Sequence, residues 1–285
     1  MQQLQLGNMR VYHLCATRFR LDGGAMFGVV PRTLWEQQAP PDDRNRIAMA
    51  CNCLLVQTGE DLTLIDTGVG THYSPKERDL FGIDPNTSLP EALRQCGFGP
   101  EDVTRVILTH LHFDHAGGAL APDEGGLRPA FPAATYVIQR GEWEDAFERR
   151  SIMRRSYHLE ALSKLEASDQ VRFIGGDVDL APGFTTWVTG GHTAHHQGVY
   201  VRGGGQTLVY PSELIPTRAH ISPYWNMAYD MEPYQALLRK QALLEQACAE
   251  DWIVAWNHDP QQAWSRLRRE GNRYVATDVA SDEPG

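Results

Sequence analysis

Six consecutive residues near the middle of the chain contain three histidines and one aspartate. The segment THLHFDHAGG (residues 109–118) places them in the pattern H-x-H-x-D-H, with the polar side chains His110, His112, Asp114 and His115. Burying so many polar groups together is costly unless they share a partner. Imidazole and carboxylate groups are ligands of zinc, and also of iron, manganese and cobalt. The pattern therefore predicts a metal site rather than an ordinary polar loop.

Further ligand-capable residues lie downstream, each shortly after a predicted strand. They are His192 after Thr185–Thr189, Glu213 after Thr207–Tyr210 and His258 after Asp251–Trp256. The strand Val103–Thr109 ends in the same way, at His110. Because several strand ends of a sandwich meet at one edge, we expect these side chains to converge. The set is large enough for two metal ions.

The hydrophobic pattern predicts the elements that position these residues. Strands are predicted at Met9–Cys15, Cys51–Gln57, Leu62–Asp66, Val103–Thr109, Tyr136–Gln139, Val171–Ile174, Thr185–Thr189, Gly198–Val201, Thr207–Tyr210 and Asp251–Trp256. Helices are predicted at residues 89–96, 141–167 (one or two helices), 232–249 and 260–269. This order indicates an α/β protein with two sheets packed face to face and helices on the outer faces, in a single domain of residues 1–285.

The segment of residues 16–50 differs from the rest of the chain in composition. Glycine and proline interrupt it at Gly23-Gly24, Pro31 and Pro40-Pro41. These residues disfavour regular structure. We therefore predict an irregular amino-terminal arm at about residues 16–50, of the kind that often forms a lid in a compact domain.

Composition and charge argue against several classes of protein. The net charge of −10 disfavours nucleic-acid binding, and the basic cluster is interpreted as a solvated helix face: Arg149, Arg150, Arg154 and Arg155. Five scattered cysteines do not indicate a disulfide framework. No apolar run reaches the roughly 18 residues of a membrane helix, and the first residues lack the apolar stretch of a secretory signal. We predict a cytoplasmic protein without membrane or nucleic-acid partners; a homodimer stays open.

The motifs together resemble those of the metallo-β-lactamase superfamily. They are LIDTG (64–68), HLHFDH (110–115), GGHT (190–193), an acidic residue after an LVY strand, and a late NHDP, and they cover roughly residues 50–260. The resemblance implies an αββα sandwich with two divalent metal ions, zinc first, with iron or manganese as the other candidates. By this resemblance, one metal is held by His110, His112 and His192. The other is held by Asp114, His115 and His258, with Glu213 as the bridge and Asp66 orienting a ligand.

Two positions depart from the pattern of this family. The family has an aspartate within a Gly-Asp pair at the bridging position, whereas this chain has Ser212-Glu213, whose acidic side chain is one methylene longer. The departure puts occupancy of the second metal site in question, and Asp230 is the fallback for the bridging position. The branch that the chain resembles most, lactonases and organophosphate-hydrolase-like enzymes, places a tyrosine three residues after the bridging acid. Pro216 stands there instead, and the candidates for the tyrosine's role are His220, Tyr224 and Tyr229.

Other histidines carry weaker signals. One of His195 and His196, in the loop after His192, is expected to support a ligand. His13, His72 and His158 lack a motif context, so we expect them on the surface or in packing roles.

The chemistry implied by such a site is hydrolysis. Two metals can share a hydroxide at neutral pH, because coordination lowers the pKa of water toward about 7. Asp114 is the predicted catalytic residue, which holds the nucleophile and passes a proton to the leaving group. The predicted substrate is a lactone or another small neutral carboxylic ester. Two alternatives on the same fold are a mononuclear iron oxidoreductase of the persulfide dioxygenase type and a glyoxalase-type thiolester hydrolase.

Overall fold

The computed structural model describes residues 2–71, 73–148 and 154–279. The first strands along the chain are β1 (Gln3–Leu6), β2 (Met9–Asp22), β3 (Arg46–Thr58), β4 (Asp61–Ile65), β5 (Arg105–Ile107), β6 (Leu120–Asp123), β7 (Gly126–Pro129), β8 (Thr135–Gln139) and β9 (Val171–Ile174). The later strands are β10 (Val178–Ala181), β11 (Phe184–Val188), β12 (Gln197–Gly203), β13 (Gln206–Tyr210), β14 (Ile253–Ala255), β15 (Trp264–Glu270) and β16 (Arg273–Thr277). The α-helices are α1 (Gly23–Phe27), α2 (Arg32–Trp35), α3 (Pro75–Leu80), α4 (Leu89–Gln95), α5 (Phe113–Ala116), α6 (Arg140–Glu148), α7 (Leu159–Glu166) and α8 (Pro233–Ala249).

The strands form two large mixed sheets and a separate hairpin. The first sheet has the order β1-β2-β3-β4-β5-β8-β9, and the second runs β10 to β16 in sequence order; β6 and β7 form the hairpin. In the first sheet, β4, β5, β8 and β9 are parallel, while the other neighbours are antiparallel. In the second sheet only the β13–β14 pair is parallel. Strands β4 and β5 therefore end at the same edge, as do β13 and β14.

Three buried apolar clusters define the layers of the molecule. Between the sheets, Leu54 and Val137 of the first sheet share a cluster with Val199 of the second. The outer face of the first sheet packs with α4, α6 and α7, and the outer face of the second packs with α8. Each fully buried Val or Leu contributes about 1.5–3 kcal/mol relative to an exposed one. The result is the helix–sheet–sheet–helix sandwich that the element order predicts.

Most predicted elements are confirmed. The runs at Cys51–Gln57 and Leu62–Asp66 form the antiparallel hairpin β3–β4. Helix α4 begins after Ser88, whose side chain accepts from the backbone N–H of Glu91, and it is followed by Gly97 with a φ of 84°. None of the helices in the described part of the chain combines the length and the apolar character that a bilayer crossing needs.

The predicted irregular arm at residues 16–50 is wrong over much of its length. Strand β2 continues to Asp22 and β3 begins at Arg46, and the two pair as far as the contact between Asp22 and Arg46. Arg18 is exposed between buried Thr17 and Phe19, which is the alternation of a half-buried strand. The two short helices α1 and α2 occupy part of the connection, so the glycines and prolines interrupt only the residues between the strands.

The predicted helix at residues 260–269 is also wrong. Residues Trp264–Glu270 form β15, which turns through Gly271 (φ 59°) into β16. The spacing of Trp264 and Leu267, three residues apart, is typical of a helix. In β15 the two side chains instead lie on opposite faces of the second sheet, Trp264 in the cluster between the sheets and Leu267 in the cluster beneath α8.

Candidate metal centre

The predicted site residues converge at the ends of strands from both sheets. His110, His112, Asp114 and His115 follow β5, and the last two lie on the single turn of α5. His192 follows β11, Glu213 lies on a short 3-10 helix after β13, and His258 follows β14. All seven side chains are buried. The convergence expected from the strand pattern is therefore present in the structure.

The seven residues divide into two groups by distance. The three-histidine group contains His110, His112 and His192, and the mixed group contains Asp114, His115, Glu213 and His258. Within each group, one ligand-capable atom from each residue lies within 4.8 Å of the others. This is the division that the family resemblance implies, with Glu213 in the mixed group.

The three-histidine group leaves ring nitrogens without ordinary partners. Nε2 of His110 and Nε2 of His112 are buried and, among the described residues, have no hydrogen-bond partner. Nδ1 of His112 faces Nε2 of His192 at 3.0 Å. Burial lowers the pKa of His112 to about 3, and it lowers the pKa of His110 well below its usual value. Neutral imidazoles with buried, unsatisfied nitrogens fit a cation, which would offset the cost of leaving them unpaired.

The mixed group has the opposite electrostatics. Oε1 of Glu213 lies 2.5 Å from Nε2 of His258 and 3.2 Å from Nε2 of His115. Burial alone would lower the pKa of His115, but the nearby carboxylates of Asp66 and Asp114 overcome it and raise the pKa to about 10. Burial alone would likewise raise the pKa of Glu213, but positive His258 holds it well below the usual value. Positive charge is therefore stabilised at this position, and a divalent cation fits the same set of donors.

Three of the candidate histidines are oriented by a bond at Nδ1, which leaves Nε2 facing the cluster. Nδ1 of His115 lies 2.8 Å from Oδ2 of Asp66, Nδ1 of His192 lies 3.1 Å from Oδ1 of Asp230, and Nδ1 of His258 lies 2.8 Å from the carbonyl of Ala50. Such bonds fix the tautomer and the ring orientation of metal-binding histidines. Asp66 thus has the place that the resemblance implies. The alternative assignment of Asp230 as a bridging ligand does not fit, because its carboxylate lies on the far side of the His192 ring.

The Thr109 hydroxyl joins the ends of three strands beneath the site. Its oxygen lies within 3.0 Å of both carboxylate oxygens of Asp66 and 2.9 Å from Oγ of Ser212. Asp66 and Ser212 have positive φ values of 59° and 49°, which cost about 1–3 kcal/mol each and persist where the surroundings fix them. These contacts hold the loops after β4, β5 and β13 in one geometry.

Two supporting residues are less visible in the sequence. His196 accepts from the backbone N–H of Glu213 at 3.2 Å, whereas the partly exposed His195 lies 3.7 Å from Asp145. His196 is therefore the supporting member of the predicted pair. Glu142, on α6, is buried and accepts from the backbone N–H of Leu111 and the hydroxyl of Thr193. No motif singles it out, because its sequence surroundings are those of an ordinary polar helix.

A cavity of about 440 Å³ opens onto both groups. Its apolar wall contains Leu21, Met26, Phe81, Phe113 and Tyr229, and its polar side contains Glu77, Arg155, Ser156 and His158. His158 therefore lines the cavity, a position that was not predicted because no motif contains this residue. His13 bonds Oδ1 of Asn52 at 2.9 Å, which is a packing role, and His72 lies outside the described residues, as do Arg149 and Arg150.

The three candidates for the missing tyrosine have different surroundings. Tyr229 lines the cavity beside the candidate ligands. Tyr224 is 73% exposed and lines a second cavity of about 820 Å³ that contains none of the candidate ligands. His220 is buried, stacks on Phe27 and has both ring nitrogens within hydrogen-bond distance of neighbours. Tyr229 is the one candidate of the three that is placed to meet a substrate.

Comparison with known families agrees with this geometry. Residues 46–258 match the model of the metallo-beta-lactamase superfamily. The chain belongs to this superfamily. The matched region begins with β3 and ends at His258. It therefore includes every residue of both donor groups.

The proteins similar to this chain include lactonases and a metal-dependent hydrolase. An N-acyl homoserine lactonase from Bacillus cereus is 29% identical over 222 residues, which cover 74% of this chain and 81% of that protein. A solved structure from Staphylococcus aureus, described as a "probable metal-dependent hydrolase", is 28% identical, has a TM-score of 0.87 and covers 97% of this chain and 100% of that chain. AidC, a dizinc quorum-quenching lactonase, is 20% identical with a TM-score of 0.80 over 99% of this chain and 98% of its own, which shows the shared fold.

Proposed function

We propose that this chain is a metal-dependent hydrolase that opens a lactone or another small carboxylic ester. The observation that carries the proposal is the pair of buried donor groups at one edge of the sandwich, with unsatisfied imidazole nitrogens in one and two carboxylates beside two histidines in the other. Both groups face the same cavity. The names of the sequence relatives support the lactone as substrate class.

The chain's own residues would hold two divalent cations. His110, His112 and His192 would bind one, and Asp114, His115 and His258 the other, with Glu213 reaching between them. We propose zinc, because imidazole and carboxylate ligands suit it and because one structural relative is described as dizinc. When bound, the metals supply Lewis-acid activation of water and of the substrate oxygen.

Asp114 is the residue we propose to move protons. Its Oδ2 lies 3.4 Å from Nε2 of His258 and 3.9 Å from Nε2 of His115, and its side chain borders the cavity. Burial by itself would raise the pKa of Asp114, but positive His115 and His258 hold it below the usual value. A carboxylate kept in its ionised form can orient the attacking water, accept its proton and return that proton to the leaving alkoxide.

The cavity favours a small substrate with an apolar part. Leu21, Met26, Phe81 and Phe113 provide the apolar wall, while the candidate ligands lie at one end. The net charge of −10 disfavours a strongly anionic substrate through long-range repulsion. A neutral ester or lactone with an attached hydrocarbon chain satisfies both conditions.

The proposal is tested by following ring opening of a panel of lactones and esters with the zinc-loaded protein. We expect turnover of lactones, and its loss in His112→Ala and in Asp114→Ala, with circular dichroism spectra like that of the wild type. His195→Ala is the control, because this partly exposed histidine lies outside both groups. Wild-type turnover in both site variants would contradict the assignment. A single iron per chain with sulfur-dependent oxygen uptake would favour the dioxygenase instead.

A further inference from the structure

The buried carboxylate of Glu142 joins three segments that border the cavity. Its Oε1 accepts from the backbone N–H of Leu111 at 3.2 Å and from the Tyr157 hydroxyl at 3.4 Å. Its Oε2 accepts from the Thr193 hydroxyl at 2.6 Å. The side chain is 1% exposed. A residue of one helix therefore receives donors from the loop after β5, the loop after β11 and the segment before α7.

Each of these donors lies directly beside a member of the three-histidine group. Leu111 lies between His110 and His112 in the chain, and Thr193 follows His192. Tyr157 pairs with His112 through the backbone, and its ring centroid lies 4.8 Å from that of His112. None of the described residues of the mixed group contacts Glu142 by a hydrogen bond. The carboxylate thus holds one of the two groups.

A glutamate suits this position better than other buried side chains. All three partners are donors, and a carboxylate offers acceptor oxygens to all of them; these bonds oppose the burial that raises the pKa of Glu142 above its usual value. Hydrogen bonds to a charged acceptor are shorter and stronger than neutral ones. The carboxylate fixes the loops that carry His112 and His192, whose facing nitrogens are 3.0 Å apart.

We propose that Glu142 is a positioning residue for the three-histidine group, setting its affinity for metal without setting that of the mixed group. The inference rests on the proposed metal-binding function. Loss of residues that support metal ligands lowers affinity by about 10- to 100-fold. We therefore expect Glu142→Leu to weaken one of two metal-binding steps by about this factor and to leave the other unchanged.

The experiment is chelator competition with Zn²⁺ and Co²⁺ on the full chain. Glu142→Gln is the rescue variant, because its amide oxygen still accepts from Leu111 and its NH₂ group can donate to the Thr193 hydroxyl; we expect nearly wild-type affinities. Gln170→Leu is the matched control. Like Glu142, Gln170 ties its own segment to a separate one by side-chain hydrogen bonds, in this case by donating to the carbonyls of Phe131 and Ala134, but it lies away from the site. We expect it to change stability without changing either affinity. If Glu142→Leu does not fold, Thr193→Val removes the 2.6 Å bond and is expected to give a smaller loss in the same direction.

A double-mutant cycle identifies which group is affected. Added to His192→Ala, Glu142→Leu is expected to cause no further loss at the remaining site, while added to His258→Ala it lowers the remaining affinity. Equal losses at both sites, or no loss at either, would overturn the inference while leaving the hydrolase proposal intact. A wild-type chain that binds no metal would overturn the hydrolase proposal, and this inference with it.

Discussion

The Glu213 side chain makes contacts that a shorter acid does not reach. Its Oε1 lies 2.5 Å from Nε2 of His258 and 2.7 Å from Nδ2 of Asn257. We expect Glu213→Asp to bind metal about 10- to 100-fold more weakly, because a hydrogen bond to a charged group contributes about 1.5–3 kcal/mol and the backbone is fixed at Ser212. Metal titration measures this. Glu213→Gln, which keeps the length and removes the charge, is the companion variant, and an aspartate that matches or exceeds the wild-type affinity would contradict the account.

Individual site residues were predictable from the sequence where a motif contains them and were missed where none does. The pattern H-x-H-x-D-H and the polar residues after three strands indicated all seven candidate ligands. Glu142 was not predicted. A glutamate that accepts hydrogen bonds from distant loops and a glutamate that faces water look the same in a helical sequence. His195 and His196 could not be separated, because an irregular loop has no period that tells which side chain points inward.

Among the elements, the loop after α5 packs too closely against the loop after β4 to accept a side chain. A Cβ on Gly118 would lie 2.1 Å from the carbonyl oxygen of Thr67. We expect Gly118→Ala to lower the free energy of unfolding by about 1–3 kcal/mol, the usual cost of overpacking, and to weaken metal binding because Asp66 precedes Thr67. Gly175→Ala is the control, since its Cβ meets nothing within 4 Å. Urea unfolding measures the free energy of unfolding, and equal values for Gly118→Ala and Gly175→Ala would contradict the tight contact.

Helix α8 contains a buried lysine that lowers the free energy of unfolding by an amount that depends on pH. Burial lowers the pKa of Lys240 from 10.5 to about 8, and Nζ donates to the carbonyl of Trp225 at 2.8 Å. The unfolded chain holds this proton more tightly, so wild-type stability rises between pH 8 and 10.5. The shift corresponds to about 3 kcal/mol at about 1.4 kcal/mol per pKa unit.

We therefore expect Lys240→Met to be more stable than the wild type at pH 7 by about 2 kcal/mol, after loss of one hydrogen bond worth about 1 kcal/mol. The advantage should disappear as the pH approaches 10. Urea unfolding at both values measures it, with Lys164→Met on the exposed face of α7 as the control. A stability difference that does not change between pH 7 and pH 10 would show that folding does not lower the pKa of Lys240, and would contradict this prediction.

The strands were easier to predict than their ends. Apolar runs such as Val171–Ile174 fixed the positions of the strands, but the continuation of β2 to Asp22 depends on pairing with β3, a contact between residues far apart in the chain. The spacing of Trp264 and Leu267 indicates a helix, and only pairing with β14 and β16, which buries the two side chains on opposite faces, makes this stretch a strand. Boundaries and short segments are set by tertiary contacts that no local pattern contains.

For the whole molecule, metal binding and folding should be linked. The site collects loops from both sheets, so the unfolded chain lacks it. A ligand that binds only the folded chain stabilises it by about 4 kcal/mol at a thousand times its Kd. We expect chelation to lower the Tm and readdition of zinc to restore it, as followed by calorimetry. Magnesium is the control ion, because it prefers all-oxygen ligands. An unchanged Tm would contradict the linkage.

The layered architecture was predictable from the order of elements, and with it the edge at which the site lies. Strands followed by a helix, twice, can bury both sheets only by packing them face to face with helices outside. The course of residues 23–45, which places Met26 on the cavity wall, was not predictable, because it depends on shape rather than on periodicity.

The metal content of the purified, zinc-reconstituted chain, measured by elemental analysis beside lactone turnover, tests whether this protein is a hydrolase with two metal ions. We expect two metal ions per chain, one for each donor group, and turnover that follows occupancy. His110→Ala should reduce the content to about one and abolish turnover, because it removes a member of the three-histidine group. A wild-type chain that hydrolyses lactones with no bound metal, or that takes up no metal at all, would contradict the account.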